Sequence, residues 1–111
     1  MTPLQFARLW LAEKDLLLST FLDADSNAAV ATSLRGLGLS PEQTRGLRPA
    51  LDAALSDTMY KLLLGLDGAA SIGGRQEVYR LFSEGGAQLS GDGELEAAAW
   101  EVFHGPTGDT A

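Results

Sequence analysis

The sequence predicts a mostly helical α+β domain with three to four helices and one β-hairpin before a C-terminal helix. Apolar residues recur at helical spacing through most of residues 3–67. A run rich in Val, Tyr, Leu and Phe then lies between two Gly-Gly pairs in residues 73–86, which is typical of strands and turns. Helical spacing returns in residues 94–103. The 111 residues with 45% apolar content predict a single globular domain over 1–104 and a frayed tail over 105–111.

The first helix is predicted to begin at Thr2 and Pro3 and to run to about Thr20 or Leu22. A Thr side chain can cap free backbone donors, and Pro is well suited to the first helical position. Apolar residues occupy two faces of this helix, and the second face is a row at intervals of seven, formed by Leu4, Leu11 and Leu18. Because so wide an apolar surface must be buried by the core or by a second subunit, we expect a homodimer through this row.

Two further helices are predicted before the hairpin. Residues 28–37 form a short helix of small residues. Ser40 then begins a third helix, since Gln43 is spaced to complete a capping box with it. Pro49 is expected to keep that helix brief and to cause a kink or a restart, because proline cannot donate a hydrogen bond to the preceding turn. The apolar spacing continues beyond it until Asp67.

The hairpin is predicted near residues 76–90. Glu77–Phe82 forms its first strand, Gly85 and Gly86 the turn, and Ala87–Ser90 the return strand. A lone hairpin is marginally stable in water, so we expect it to pack on the helices or to be extended across an interface.

Negative charge is concentrated at the C-terminal end of the chain. The formal net charge is -7, and residues 81–111 contain six carboxylates and no Lys or Arg. Such a surface repels phosphate backbones and attracts cationic proteins. The charge therefore argues against a nucleic-acid partner and favours a basic protein partner.

The final helix is predicted over Glu94–Phe103, with Trp100 outside its main apolar stripe. Glu96 and Glu101 flank this indole, and Glu94 and Glu96 lie near the positive N-terminal end of the helix. A large aromatic residue with a charged rim is typical of an interaction anchor. We therefore predict a partner-binding site formed by Trp100, Glu94, Glu96 and Glu101. The competing interpretation is that Trp100 packs against the hairpin.

The chain shows no convincing metal or cofactor motif. Asp23, Asp25 and Asn27 imitate the start of a calcium-binding loop, but Ala28 replaces the required Gly and Leu34 the required bidentate Glu. A polar turn is the better interpretation of this segment. We expect no metal and no cofactor.

Catalytic chemistry is not indicated either. His104 is the single histidine, and no serine of the chain has the sequence context of an activated nucleophile. The glycines of residues 65–74 lack the Lys and Ser or Thr of a phosphate-binding loop. We predict no catalytic residues.

These observations favour a small acidic, non-enzymatic interaction module. In size, acidity and lack of cysteine the chain is similar to many bacterial immunity proteins, although no motif is shared. An immunity-type inhibitor and a regulatory adaptor both fit the prediction.

Two alternatives belong to other functional classes. The first is an enzyme or ligand-binding protein with a pocket between hairpin and helices, lined by Tyr60, Arg75, Tyr79 and His104. The second is a DNA-binding regulator built on residues 31–51, whose contacts to the DNA backbone would come from Arg35, Arg45 and Arg48.

The compartment is predicted from composition. The chain has no cysteine, which fits a reducing environment. Glu13, Lys14 and Asp15 interrupt the first apolar stretch before it is long enough to span a bilayer. We expect a soluble cytoplasmic protein without a membrane partner.

Overall fold

The computed structural model describes residues 1–105, which contain four helices and no β-strand. The helices are α1 (Pro3–Leu22), α2 (Ala29–Gly36), α3 (Pro41–Leu66) and α4 (Glu94–Phe103). None of these four has the combination of length and apolar character needed to cross a bilayer. Residues 106–111, which make up most of the predicted frayed tail, lie outside the described residues.

Both predicted helix starts with side-chain caps are confirmed. Thr2 accepts a hydrogen bond from the N–H of Gln5 at 3.1 Å, and the Gln5 side chain accepts one from the N–H of Thr2 at 2.9 Å. Ser40 and Gln43 form the same reciprocal pair, at 3.1 and 2.9 Å. Each capping box satisfies two backbone donors that have no partner inside the helix, so α1 and α3 begin at fixed positions.

The third helix is longer than predicted. α3 continues through Pro49 to Leu66, so the expected brief helix with a restart is wrong. A proline inside a helix removes one N–H donor and costs about 3 kcal/mol. Pro49 is exposed, and partly buried leucines continue along one face on both sides of it, at positions 47, 51 and 55. Burial on both sides of the proline favours the uninterrupted helix.

The predicted β-hairpin near residues 76–90 is absent, and the α+β assignment is therefore wrong. The fold of the described chain is all-α. In place of a ladder the connection between α3 and α4 contains two isolated bridges, which pair Ile72 with Arg75 and Phe82 with Gln88. The turn between the predicted strands is present, but the strands do not pair along their length.

Beyond the bridge between Phe82 and Gln88, a side chain takes the place of the predicted return strand. Ser90 is fully buried, and its hydroxyl donates a hydrogen bond to the carbonyl of Tyr79 and accepts one from the N–H of Leu81 at 3.1 Å. The N–H of Tyr79 donates to the carbonyl of Leu66, at the end of α3, at 3.1 Å. Backbone pairing is therefore limited to the bridge at Phe82 and Gln88, where the N–H of Leu89 donates to the carbonyl of Leu81 at 2.7 Å, and it does not extend to residue 79.

The core is built where α1, α3 and α4 meet. α1 contacts each of the other helices, and α3 also contacts α4. Ala7 of α1, Leu63 of α3, and Leu95 and Ala99 of α4 are completely buried. α4 is thus fixed on the body of the protein by one face and leaves the opposite face to solvent.

Candidate interaction surface

The predicted partner-binding residues share the solvent-exposed side of α4. Successive helical residues are rotated by about 100°, which places one stripe against the core and the rest outside. The buried stripe consists of Leu95, Ala98, Ala99, Val102 and Phe103. The remaining helical positions, Glu94, Glu96, Ala97, Trp100 and Glu101, form what we call the α4 outer face. All of these are exposed except Glu96, which is partly buried.

Trp100 is the largest side chain of the α4 outer face, and 52% of its surface is exposed. The aromatic contacts found within residues 1–105 involve Phe6, Trp10, Tyr60, Phe103 and His104, and none involves Trp100. Packing of the indole against Tyr79 or Phe82, the competing interpretation, is therefore not observed. An indole half open to water is available for contact with another molecule.

The carboxylates around Trp100 are not neutralised by the described part of the chain. The ion pairs within residues 1–105 join Lys14 to Asp15 and Asp52, and Arg75 to Glu77. No described Lys or Arg lies within 4.0 Å of the carboxylates of Glu94, Glu96 or Glu101. The α4 outer face therefore keeps its negative charge, with the indole at its centre.

Asp67 holds the start of α4 in place, although the sequence suggested only that it ends α3. Its side chain is buried and accepts hydrogen bonds from the N–H of Gly91 at 2.6 Å and from the N–H of Glu96 at 2.8 Å. Gly93, which precedes α4, has no side chain to cap the helix. A carboxylate from the end of α3 thus satisfies a free donor of α4 and interacts favourably with the positive end of its dipole.

A shallow groove of about 330 Å³ runs between the start of α1 and the α4 outer face. Its lining residues are Thr2, Pro3, Leu4, Glu94, Ala97, Ala98 and Glu101. Glu94 and Glu101 lie two turns apart on the same stripe of α4, with small apolar residues between them. The groove thus combines an apolar floor with a carboxylate at two of its borders, and it adds Thr2 and Pro3 to the predicted site.

The leucine row predicted to form a homodimer contacts the protein's own core. Leu18 is buried, and the partly buried Leu4 and Leu11 pack against the core cluster. Of the two outcomes that the wide apolar surface allowed, the structure shows burial within the chain. The homodimer through Leu4, Leu11 and Leu18 stays a prediction.

The residues of the alternative ligand site are only partly assembled. Tyr60 and His104 are in contact, with ring centroids 4.3 Å apart and planes nearly perpendicular. Arg75 instead bonds to Glu77 at 3.3 Å, and Tyr79 is 37% exposed. The hairpin that was to form one wall of the pocket is missing from the described chain.

The arginines predicted to contact DNA also lie in surroundings that differ from the prediction. Arg35 donates hydrogen bonds to the carbonyl of Ala24 at 2.9 Å and to the hydroxyl of Thr32 at 3.3 Å. Arg45 and Arg48 lie on the exposed surface of α3, which is one long helix instead of the second half of a short helix pair. Among the described residues, α2 and α3 follow each other in the chain but make no helix–helix contact, and the DNA-binding alternative stays a prediction.

Lys14 is a buried charge away from the α4 outer face. Its ammonium group lies 2.7 Å from a carboxylate oxygen of Asp52 and 3.0 Å from one of Asp15. Burial by itself lowers the pKa of Lys14, but the hydrogen bonds to Asp52 and Asp15 and the attraction of their charges outweigh it and raise the pKa above the ordinary 10.5. The ion pair between Lys14 and Asp52 joins α1 to α3.

Comparisons of the chain with protein-family models, with curated proteins and with solved structures gave no match. Function must therefore be inferred from the geometry and charge of the surface itself.

Proposed function

We propose that the protein is an acidic, non-enzymatic interaction module of the cytoplasm that binds a basic protein through the α4 outer face. The observation that carries this proposal is the half-exposed indole of Trp100 on a helix whose opposite face is buried. Exposed aromatic anchors surrounded by charged residues are typical of binding energy hot spots.

Charge determines the kind of partner. Glu94, Glu96 and Glu101 have no described cation within 4.0 Å, so their charge is available to a Lys or Arg of another protein. The groove between α1 and α4 suits the same side chains, since its apolar floor can contact an aliphatic stem while Glu94 and Glu101 bind the charged head. Electrostatic complementarity of this kind accelerates association and selects against acidic proteins.

The site is also rigid before binding. Leu95 and Ala99 are fully buried, and Asp67 fixes the first turn of α4 through the N–H of Glu96. A surface whose backbone is already ordered loses less conformational entropy when a partner binds. The α4 outer face therefore meets the structural requirements of a preformed docking surface.

The experiment is affinity capture from the native host at low and moderate salt, followed by purification of the captured protein and measurement of its Kd. Trp100→Ala should weaken binding about 30-fold, as expected for loss of a hot-spot aromatic residue. Glu94→Gln combined with Glu101→Gln should weaken binding and flatten its salt dependence. Leu16→Ala is the matched control, because Leu16 is 64% exposed on α1.

Equal affinities for wild type, Trp100→Ala and Leu16→Ala would contradict the proposal. Once a partner is known, its own activity separates the two forms of the function. An immunity-type inhibitor abolishes the activity of its partner, whereas an adaptor leaves that activity intact.

A further inference from the structure

Residues 78–82 form an exposed segment that is bonded to the protein along one edge. The N–H of Tyr79 donates to Leu66, and the Ser90 hydroxyl bonds to the backbone of residues 79 and 81. The carbonyl of Leu81 accepts from the N–H of Leu89 at 2.7 Å. Every second residue thus directs its backbone groups inward, which is the alternation of a β-strand.

The opposite edge of this segment is open. The N–H and carbonyl groups of Val78, Arg80 and Phe82 make no hydrogen bond to any residue in the range 1–105. All three residues are exposed, Val78 by 43% and Phe82 by 55%. A row of alternating free donors and acceptors is a ready template for another extended chain.

The segment is held in shape without a partner. Val78 packs closely over Gly68, and the Cγ of Arg80 would lie 2.8 Å from a Cβ at position 91, where Gly91 has a φ of +104°. Both glycines therefore permit an approach that any side chain would block. An edge fixed in this way can accept a strand without first paying the entropy of ordering itself.

We propose that the open edge of residues 78–82 binds an extended peptide of a partner protein that carries one acidic side chain opposite Arg80 in an otherwise apolar or uncharged strand. The backbone groups supply the hydrogen bonds of β-strand addition. Side chains on one face of an extended segment alternate, so Val78 and Phe82 flank Arg80 and favour apolar neighbours in the added strand.

Arg80 determines which charge is favourable in the added peptide strand. It forms no ion pair with any residue in the range 1–105, whereas Arg75 is paired with Glu77. An acidic residue opposite Arg80 is therefore favourable, while further acidic residues are repelled by the net charge of -7. A second copy of the chain fits less well, because antiparallel pairing centred on the segment places Arg80 opposite Arg80.

The test uses two synthetic nine-residue peptides of alternating Val and Thr, one with Asp and the other with Lys at the central position. Binding to the full chain is followed by the amide NMR signals of Val78, Arg80 and Phe82, and by their protection from hydrogen exchange. We expect these amides to shift and become protected, and the Asp peptide to bind about fivefold more tightly than the Lys peptide. Arg80→Glu should reverse that preference, and Arg75→Glu, outside the segment, should keep it.

Unchanged amide NMR signals and unchanged hydrogen exchange in residues 78–82 would overturn the proposal. Equal affinity for the Asp and Lys peptides would overturn it as well. Protection of the same amides by increasing protein concentration alone, with a dimer in sedimentation that Arg80→Glu abolishes, would also overturn it, because the occupant would then be a second copy. Trp100→Ala should leave peptide binding unchanged, since Trp100 belongs to a different surface.

Discussion

The carboxylate of Asp67 and the backbone N–H of Glu96 lie 2.8 Å apart, although 29 residues separate them in the sequence. The contact joins the end of α3 to the first turn of α4. Because Glu96 belongs to the α4 outer face, the position of that face depends on a buried acid from another helix.

Removal of the Asp67 side chain should destabilise the fold. Asp67→Ala leaves the N–H groups of Gly91 and Glu96 without their partner, and we expect the free energy of unfolding to fall by about 2–4 kcal/mol. Urea denaturation measures the change. Asp57→Ala, on the exposed surface of α3, should alter the same quantity by no more than about 0.5 kcal/mol. A loss of similar size in both variants would refute the role of Asp67.

Two glycines of α3 should respond in opposite directions to alanine. Gly65 is buried, and a Cβ there would overlap Cγ1 of Ile72 and lie 2.8 Å from its Cδ1, so Gly65→Ala should cost about 1–3 kcal/mol. Gly46 is exposed with open space around it, and Gly46→Ala should stabilise the helix by about 0.5–1 kcal/mol. Thermal unfolding of the pair checks both signs. Equal shifts in melting temperature would show that Ile72 does not restrict position 65.

Ser90→Ala should loosen the segment that replaces the predicted hairpin. The change removes the partner of the Tyr79 carbonyl and the Leu81 N–H in a fully buried place, at a cost of about 2 kcal/mol. Hydrogen exchange at the Leu81 amide should become faster in the variant. Ser33→Ala, at an exposed position of α2, is the control and should leave that rate unchanged. A Leu81 amide as protected in Ser90→Ala as in wild type would contradict this assignment.

Because Lys14 is buried beside two carboxylates, we expect the free energy of unfolding to depend on pH in the alkaline range. Its pKa in the folded protein is raised above 10.5, so the protonated lysine stabilises the fold at any pH below 10.5. That contribution is lost as the pH rises through the folded pKa. Unfolding free energies measured between about pH 9 and about pH 12 should therefore fall more steeply for wild type than for Lys14→Met.

Lys61→Met is the matched control for this measurement. Lys61 is the only other lysine of the chain, and it is exposed. The control should retain the steep wild-type dependence on pH. Parallel curves for wild type and Lys14→Met would show that the ion pairs with Asp15 and Asp52 do not stabilise the fold.

The helices were predictable from sequence because their signals are local. Capping residues fixed the start of α1 at Pro3, and apolar spacing gave α4 its bounds of Glu94–Phe103. The predicted break at Pro49 was wrong because it considered only the local cost of a proline in a helix. The burial of leucines on both sides of Pro49 was left out. The hairpin prediction was wrong because the Tyr79 carbonyl and the Leu81 N–H bond to the Ser90 hydroxyl, and strand propensity carries no information about a side-chain partner.

The α4 outer face was predictable in part because the signal for it is also local in the sequence. The helical wheel of α4 alone places Trp100 outside the buried stripe, and its exposure follows from that. The contribution of Asp67 depends on contacts across 24 and 29 residues, which spacing along the chain does not reveal. The sequence offered one indirect signal: Gly93 has no capping side chain, and the neighbouring Asp92 accepts a hydrogen bond only from the N–H of Glu94, at 3.1 Å, which leaves the N–H of Glu96 to a residue from elsewhere in the chain.

The most direct test of the central claim is the fluorescence of Trp100 during titration with the captured basic partner. The Trp10→Phe variant removes the other indole, which packs edge-on against Phe6, and leaves Trp100 as the single emitter. We predict a blue shift of the emission as the partner covers the indole, with a midpoint that moves to higher partner concentration as salt increases. Saturable binding that leaves the Trp100 emission unchanged and does not depend on salt would contradict the account.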